Sequence, residues 1–309
     1  MILGRRTTGE NGSSGAGVTA SLSSCAGCGA PLGRVERLGG VALAPCAACG
    51  TRTAVPRPAR DEAIALHNSN EYFEKTYFEA RRGRDGVTQR RVRLLLDRLA
   101  RELPELAVKH GRLLDIGCDT GDFLVAAQQL ADVVPFGVDV SGRAVAIAVE
   151  KGVTAVCGEL GSAPPSYSGF TLVTAIDVIE HVPQPEDLLV EARRRLAPTG
   201  VVYIETPNWR SGVYVVGRVA ARHLHDHPRV VFERLFPPEH LQYFTPRGLQ
   251  ALAGRAGYRV VSMSSRPLRG EALAGSLALR AVMELLQLPD RLLGREILLS
   301  AVLVPKENA

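Results

Sequence analysis

Apolar and polar residues follow two alternating periods along most of this chain. From residue 112 onward, short runs of consecutive apolar residues alternate with segments in which apolar residues recur every three or four positions. Runs of the first kind are typical of buried strands, and segments of the second kind are typical of helices that cover a sheet. Strands and helices that alternate with short connections predict a parallel sheet with helices on both faces.

The elements that this pattern predicts follow one another in a regular order. Helices are predicted over 87–103, 121–131, 142–151 and 186–196. Strands are predicted over 112–117, 133–140, 153–158, 170–177, 201–208, 258–265 and 295–305. The last two strands frame a helical insertion at 271–288, whose apolar side chains, such as Leu273 and Leu285, favour core packing. The alternatives are that the insertion completes a lid over the binding site or forms a dimer face. The predicted fold class is therefore α/β.

Aromatic residues and arginines mark the segment before this pattern. Tyr72, Phe73, Tyr77 and Phe78 stand at helical spacing and predict another helix that caps the domain. Arginines occupy positions 81, 82, 84, 90, 91 and 93. They can contact phosphates, but a charge-rich helix more often has a solvated face, which is the interpretation we favour.

Four of the six cysteines have the spacing of a metal site, in the order Cys25, Cys28, Cys46 and Cys49. Two C-x2-C pairs separated by 17 residues are typical of tetrahedral zinc held by four thiolates. Gly39 and Gly40 lie between two strand-like runs and predict a hairpin, so we expect a ribbon with a structural zinc. Chance pairs of buried or disulfide-bonded cysteines are the alternative. Cys118 and Cys157 are expected to be packing residues.

Composition sets the expected cellular context. The 309 residues are 46% hydrophobic and 22% charged, which is ordinary for a globular protein. Neither a bilayer-spanning apolar run nor a signal peptide is visible, so we expect a cytoplasmic protein without membrane contact. The net charge of +5 permits an anionic partner without identifying one.

The expected domain organisation has four parts. They are a flexible tail (1–21), a zinc ribbon (22–58), a linker with capping helices (59–105) and a large α/β domain (106–309). The proline- and arginine-bearing stretch 51–60 is expected to separate the ribbon from the large domain.

The turn after the first predicted strand of the sheet is the strongest sign of a binding site. Residues 115–121 read DIGCDTG, and Asp139 ends the next strand 22 residues after Gly117. Ligands of doubly wound sheets bind outside the carboxyl ends of the strands, and this spacing is close to the one at which an acid binds a ribose diol. A glycine-rich turn alone is weak evidence, but the second acid favours ligand binding.

Five segments resemble the class I S-adenosylmethionine-dependent methyltransferases, within about residues 70–265. They read LLDIGCDTGDFL, GVDVS, DVIEHVPQPEDLL, LAPTGVVYIETPN and EHLQYFTPRGLQALAGRAGYRVV. The resemblance is to the ubiquinone-biosynthesis O-methyltransferases and to small-molecule methyltransferases of sugar and natural-product pathways, some of which carry a four-cysteine ribbon in front. It implies a Rossmann-like, seven-stranded, mostly parallel sheet that binds S-adenosylmethionine.

The resemblance places the methionine moiety of this cofactor over the loop that contains Asp115, Gly117 and Gly121. Asp119 departs from the family, which usually has glycine at this position. A carboxylate here repels a pyrophosphate but pairs with an ammonium group, so Asp119 favours S-adenosylmethionine over a dinucleotide. By the same resemblance, Asp139 binds the ribose hydroxyls.

The resemblance also implies adenine contacts, in which Glu159 approaches the adenine amino group and Leu160 packs against the ring.

Residues 177–181 read DVIEH and follow the fourth strand, at the rim where the methyl group would point. Methyl transfer needs positioning and, for a protonated acceptor, a base. His181 is the candidate base because its intrinsic pKa is near physiological pH. Alternatively, Glu180 and His181 only hold the loop by hydrogen bonds.

A divalent metal is a further alternative at this rim. Ubiquinone-type enzymes and a small-RNA 3′-end methyltransferase group have a similar set, which corresponds here to Asp177, Glu180, His181 and His240. A metal there would orient an acceptor hydroxyl, although many relatives with Glu-His hold none.

Residues 208–247 exceed the usual length of a connection, and such long loops in compact domains are usually functional. We interpret them as an acceptor-binding lid that includes Trp209 and Tyr214. Three histidines in it are expected to face solvent and not to bind metal, namely His223, His225 and His227.

Three functions fit these observations. The first is methylation of a small molecule at O, N or C in the biosynthesis of a secondary metabolite or sugar. The second is methylation of rRNA or tRNA, with the ribbon binding RNA, which the arginines favour. The third is an inactive methyltransferase fold that acts as a binding protein. The ribbon has no aromatic residue for stacking, which disfavours RNA, and retention of Gly117 and Asp139 disfavours the inactive protein. The oligomeric state is left open.

Overall fold

The computed structural model describes residues 24–38, 40–69, 85–106, 108–223, 235–268 and 277–306. The strands are β1 (Glu36–Leu38), β2 (Val41–Pro45), β3 (Arg52–Ala54), β4 (Arg112–Ile116), β5 (Val134–Asp139), β6 (Thr154–Cys157), β7 (Phe170–Ile176), β8 (Leu196–Pro207), β9 (Gln242–Tyr243), β10 (Tyr258–Arg266) and β11 (Leu298–Pro305). The helices are α1 (Arg60–His67), α2 (Asp85–Glu102), α3 (Asp122–Ala131), α4 (Gly142–Glu150), α5 (Pro185–Arg195), α6 (Gly212–His223), α7 (Pro246–Arg255) and α8 (Leu277–Leu293).

The larger sheet has seven strands in the order β10-β11-β8-β7-β4-β5-β6. The five strands from β8 to β6 are parallel, and β11 runs antiparallel to both β8 and β10. This confirms the predicted α/β class with a Rossmann-like, mostly parallel sheet. The chain proceeds outward from β4 in both directions, so the strand order reverses at β4. The carboxyl end of β4 is therefore the expected place for a ligand.

Side chains that alternate along the strands build one apolar layer on each face of the larger sheet. Leu113 and Leu114 of β4 point to opposite faces, as successive residues of a strand do. Leu113 packs in the layer that contains Val92, Leu95 and Leu99 of α2. Burial of these three residues confirms the helical period that predicted α2.

The four-cysteine segment is built into a second sheet, of order β1-β2-β3-β9. The predicted hairpin forms between β1 and β2. The prediction of a linker over 51–60 is wrong in its first half, because β3 lies there and pairs with β9, nearly 200 residues downstream. Thr245, the N-cap of α7, donates a hydrogen bond to the carbonyl oxygen of Cys49 at 2.6 Å. The ribbon is therefore fastened to the large domain by main-chain and side-chain bonds.

Two packing predictions are wrong. Leu285 was expected to pack in a core, but its exposed fraction is 64%, because α8 buries a different face that includes Gln287 and Asp290. Cys157 was expected to be a packing residue, but it is exposed at the end of β6, whereas Cys118 is buried as expected.

Several predictions lie outside the described residues. They are the tail 1–21, the helix with Tyr72 to Phe78, the arginines at 81, 82 and 84, Leu273 and the histidines at 225 and 227; the side chain of His223 is also outside. Among the helices that are described, none combines the length and the apolar character that a membrane crossing requires.

Candidate functional site

A cavity of about 740 Å³ opens at the carboxyl ends of β4, β5, β6 and β7, where the strand order reverses. Six of the seven residues predicted to bind a cofactor line it, namely Asp115, Gly117, Asp119, Asp139, Glu159 and Leu160. Gly121, the seventh, is the N-cap of α3 and is not among the described lining residues. The structure thus brings together residues that are spread over 45 positions of the sequence.

The turn after β4 depends on two glycines with left-handed backbone. Gly117 has φ +70°, and a Cβ atom there would come within 2.4 Å of a Val178 methyl carbon. Gly121 has φ +78°, and its Cβ would lie 3.0 Å from that of Ala148. A side chain at Gly117 would require Val178 to move, and a side chain at either position would strain the left-handed backbone. Asp119 also has positive φ, at +54°, a conformation that aspartate tolerates better than most residues.

Asp139 connects the end of β5 to this turn. One of its carboxylate oxygens accepts a hydrogen bond from the backbone N–H of Asp119 at 2.9 Å, and the other accepts from the N–H of Ser141 at 2.8 Å. Each oxygen has a second lone pair that can accept a hydroxyl proton. The side chain is nearly buried yet lines the cavity, which is the placement that a ribose-binding acid needs.

Two other carboxylates at the turn have local partners. Asp115 is buried and accepts a hydrogen bond from the Thr174 hydroxyl at 2.6 Å. The Asp119 carboxylate accepts from the N–H of Thr120. Asp119 therefore supports the geometry of the turn, in addition to the electrostatic role that the sequence suggested.

Helix α1 forms a wall of the cavity that the sequence did not predict. Arg60, Ala63, Ile64 and His67 of α1 line the cavity. The Arg60 Nε–H donates to both oxygens of Glu159, at 2.6 and 2.7 Å. The carboxylate that was expected to approach adenine is thus already held by a residue from the segment after the ribbon.

The predicted lid over 208–247 is positioned differently from the expectation. None of its described residues lines the large cavity. Trp209 and Tyr214 are buried, with exposed fractions of 4% and 3%, in an apolar cluster with Phe236 and Tyr243. The aromatic residues in the described part of this segment therefore pack onto the ribbon, and α1 lines the cavity instead.

The buried Glu180 and the half-buried His181 and His240 form a cluster at the cavity, with one ligand atom from each lying within 4.8 Å of the others. One Glu180 oxygen accepts a hydrogen bond from the Thr206 hydroxyl at 2.8 Å. The other oxygen and the Nδ1 atom of His240 are buried without a hydrogen-bond partner among the described residues. Burial and then the charge of Asp177 raise the pKa of Glu180 to about 8. Unpaired polar atoms that converge in this way are typical of a site for a ligand or a metal.

His181 is the member of this cluster that lines the cavity. Its Nδ1 lies 3.0 Å from the carbonyl oxygen of Glu239, so Nδ1 donates a proton and Nε2 keeps a lone pair. Burial, together with the neighbouring His240 and His67, lowers the pKa of His181 well below its usual value. His181 therefore does not keep the ordinary pKa from which the sequence argued for a base, and its role as the base stays a prediction.

Asp177 does not join the cluster, which corrects the four-residue metal set. It lies 2.8 Å from the Arg91 guanidinium, which also donates to the fully buried Glu205. Arg91 was expected on a solvated helix face but lines the cavity. Arg90 and Arg93 are exposed as expected.

His67 is a residue of the site that sequence reasoning missed. Its ring stands perpendicular to that of His181, with 5.2 Å between centroids, and the His181 and His240 rings are 4.7 Å apart. His67 lies between the ribbon and the glycine-containing turn after β4, outside the segments that resemble the methyltransferases. Only the position of α1 over the cavity brings it here.

The four cysteines of the ribbon converge as the spacing predicted. One sulfur from each lies within 4.8 Å of the others, with Cys25 to Cys49 at 3.5 Å and Cys28 to Cys46 at 3.4 Å. Tetrahedral zinc with bonds of about 2.3 Å requires sulfurs about 3.8 Å apart, so the set fits. Burial opposes ionisation of Cys46, but the backbone N–H of Cys49 and the adjacent thiols lower its pKa to about 7.

Comparison with known proteins gives a family match, curated relatives of similar sequence and solved structures of similar fold. The sequence model of the methyltransferase domain family matches residues 87–263. Ubiquinone biosynthesis O-methyltransferase of Pseudomonas syringae pv. tomato is 28% identical over 120 residues, which cover 37% of this chain and 51% of that protein. The enzyme of the same name from Chromobacterium violaceum is 28% identical over 166 residues, which cover 49% and 70%. The chain spans about half the length of the first of these relatives.

Solved structures share the fold at low sequence identity. The plantazolicin methyltransferase BpumL, in complex with a monoazolic desmethylPZN analog and SAH, has a TM-score of 0.55 and 16% identity, and the match covers 80% of this chain and 95% of that one. A methyltransferase of Thermotoga maritima, described as a possible histamine N-methyltransferase, has a TM-score of 0.52 and 17% identity, with coverage of 79% and 100%. These likenesses support the fold alone.

Proposed function

This chain belongs to the methyltransferase domain family, and we propose that it transfers the methyl group of S-adenosylmethionine to an oxygen, nitrogen or carbon atom of a small molecule made in secondary-metabolite or sugar biosynthesis. The observation that carries the proposal is the cavity at the switch point, with Asp139 placed between its glycine turn and Ser141. The cofactor supplies a methyl group on a sulfonium, which is a good leaving group. The protein therefore contributes mainly binding and alignment.

Different residues of the cavity bind different parts of the cofactor. Asp139 accepts hydrogen bonds from the ribose hydroxyls and from the backbone N–H of Asp119 in the turn. The turn itself lies under the methionine moiety. Leu160, which is almost fully buried, packs against the adenine ring. Glu159 accepts from the adenine amino group and from Arg60 together, because a carboxylate has acceptor sites for both.

Substitution of Asp119 tests whether its carboxylate contributes to binding the ammonium group of the cofactor. Asp119→Gly is expected to raise the dissociation constant for S-adenosylmethionine about threefold to fivefold, since a partly solvated ion pair contributes up to about 1 kcal/mol. Glycine tolerates the positive φ at this position, so the fold is preserved. Calorimetric titration measures the change, with Asp119→Asn as the variant that keeps the side-chain size. Equal affinity in the wild type and both variants contradicts the ion pair.

We further propose that Glu180, His181 and His240 hold a divalent metal that orients the acceptor. Two imidazoles and a carboxylate are a common donor set for such ions, and the buried, unpartnered Glu180 oxygen and His240 nitrogen support it. The low pKa values of both histidines keep the rings neutral, as metal ligation requires. Bound there, the metal would supply Lewis-acid polarisation of an acceptor oxygen.

Binding of Mn²⁺ to the zinc-loaded chain tests the metal proposal without an acceptor. Electron paramagnetic resonance is expected to show about one Mn²⁺ bound per chain, and His240→Gln is expected to weaken this binding at least tenfold because one of three ligands is lost. His110→Gln, which changes an exposed histidine, is the matched control. The metal proposal fails if the wild type binds no Mn²⁺ or if His240→Gln binds it equally well.

The acceptor class is tested by following the methyl group. The purified chain is incubated with methyl-labelled S-adenosylmethionine and cell extract divided into RNA and small-metabolite fractions. We expect label in the metabolite fraction. Label in RNA alone supports the alternative of an rRNA or tRNA methyltransferase, and no transfer despite cofactor binding supports the inactive binding protein.

A further inference from the structure

We propose that the outer face of helix α8 is the surface through which two copies of this chain associate. Leu285, Leu288 and Leu292 have exposed fractions of 64%, 48% and 90%, and Ala281 is exposed as well. These four residues follow one another at intervals of four, three and four positions. Such intervals place them in one line along a helix, which is the spacing of helices that pack against each other. We call this line of residues the α8 stripe.

Polar contacts on the other side of α8 hold the helix in the orientation that exposes the stripe. Gln287 and Asp290 are fully buried there. The Gln287 side chain accepts a hydrogen bond from the N–H of Leu268 at 2.9 Å and donates one to the carbonyl oxygen of the same residue at 3.1 Å. Asp290 accepts from the N–H of Gly212, the first residue of α6. A rotation of α8 that buried the leucines would break these bonds, so the stripe faces outward as a consequence of the fold.

Helix α6 adds further apolar surface beside the stripe. It packs against α8, and its residues Val216 and Val219 are exposed. Single apolar residues on a surface need no explanation, whereas a line of them next to a second apolar helix is typical of an interaction surface. The described residues of α6 and α8 are absent from the lining of the large cavity, so this surface is separate from the cofactor site.

The charges at one edge of the stripe favour a second copy of the chain as the partner. Glu284 and Arg291 each directly precede a leucine of the stripe, and their side chains form an ion pair of 2.6 Å within the helix. They lie seven positions apart, which is two helical turns. If two copies of α8 pack antiparallel about a two-fold axis near Leu288, Glu284 of each copy lies level with Arg291 of the other.

The same charges disfavour other arrangements and other partners. A parallel pair of α8 helices would place Glu284 level with Glu284 and Arg291 level with Arg291. An anionic lipid surface attracts helices whose polar face is rich in lysine and arginine, whereas this edge carries one charge of each sign. The antiparallel dimer is thus the arrangement that matches both the apolar line and its flanking charges.

Sedimentation equilibrium of the full, zinc-loaded chain over a wide range of concentration tests the proposal. We expect a mass that approaches twice the 33.1 kDa of one chain. Leu288→Glu is expected to raise the dissociation constant of the dimer about 100-fold, because the two-fold axis turns one substitution into two lost apolar contacts and two facing carboxylates. Leu94→Glu is the matched control, since Leu94 lies on α2 with an exposed fraction of 49%, and it is expected to dimerise like the wild type.

Reversal of single charges separates contacts between chains from contacts within one chain. Glu284→Arg and Arg291→Glu are each expected to raise the dissociation constant about tenfold, because each variant brings like charges together across the interface. An equimolar mixture of the two variants is expected to regain the dimer mass. The ion pair within each chain stays broken in this mixture, whereas the charges of the two chains are opposite. Recovery in the mixture therefore supports a contact between chains, and its absence contradicts the charge match.

Three results would overturn the dimer. The first is a wild type that sediments as a single chain at every concentration, and the second is a dimer that persists in Leu288→Glu. The third is a single chain that binds vesicles of anionic phospholipid and loses this binding in Leu288→Glu, which would assign the stripe to a lipid surface. Calorimetry on Leu288→Glu is expected to show wild-type affinity for S-adenosylmethionine, because the stripe and the cavity are separate. Failure of the dimer and failure of the methyltransferase proposal are therefore distinguishable.

Discussion

Replacing Asp139 with alanine raises the dissociation constant for S-adenosylmethionine about 100-fold. The change removes the acceptors for the ribose hydroxyls and also the two hydrogen bonds that hold the N–H groups of Asp119 and Ser141. Hydrogen bonds to a charged group contribute about 1.5–3 kcal/mol each, and about 2.7 kcal/mol corresponds to a 100-fold change. Calorimetric titration of wild type and variant measures the effect.

A matched control separates the loss of these contacts from the loss of one negative charge. Asp97→Ala changes an exposed aspartate on α2 and is expected to bind the cofactor like the wild type. Asp139→Asn keeps one acceptor oxygen and is expected to fall between Asp139→Ala and the wild type. Affinity of Asp139→Ala within threefold of the wild type, in a variant with unchanged circular dichroism, contradicts the assignment of Asp139.

Cys46→Ser is expected to release zinc and to destabilise the large domain as well as the ribbon. A three-ligand site binds zinc far more weakly, and the free energy of structural zinc binding is part of the folding free energy. The effect reaches beyond the ribbon because β3 pairs with β9 and Thr245 bonds to Cys49. We expect zinc content to fall from about one per chain to near zero and the free energy of unfolding to fall by several kcal/mol.

Cys157→Ser is the control for this experiment, because Cys157 is exposed and outside the cluster. It is expected to retain zinc and wild-type stability. Elemental analysis and urea unfolding measure the two quantities. If Cys46→Ser loses its zinc while the large domain unfolds at the same urea concentration, the ribbon is an independent module and the coupling through β9 is wrong.

Regular periods and strand ends explain what could be predicted from the sequence. Helix α2 and the strands of the large sheet follow from apolar spacing, which depends only on neighbouring residues. Asp115, Asp119 and Asp139 follow from the ends of strands, because a parallel sheet brings those ends together. The thiolate cluster follows from cysteine spacing alone.

Contacts between distant segments explain what could not be predicted. Strand β9 has two residues and no period, and its pairing with β3 leaves no local pattern. Arg91 reads as a solvated helix residue because its partners, Asp177 and Glu205, lie 86 and 114 positions away. Helix α1 was not predicted, and its position over the cavity depends on packing that no single segment encodes. The length of 208–247 suggested a lid, although the aromatic residues in its described part pack against the ribbon.

Arg60 shows how such contacts change the interpretation of a site. Glu159 alone suggests an adenine contact, whereas the Arg60–Glu159 pair shows that the segment after the ribbon takes part in the same wall. The ribbon thus connects to the site at two points, through α1 and through the β9 segment that precedes Thr245. This arrangement supports a structural role of the ribbon in positioning the site.

The most direct test of the account is a crystal structure of the chain with S-adenosylhomocysteine at saturating concentration. The account predicts one molecule in the large cavity, with its ribose hydroxyls within hydrogen-bond distance of the Asp139 carboxylate and its amino acid end over the turn at Gly117. A nucleoside found elsewhere on the protein, or an empty cavity at saturation, contradicts the account.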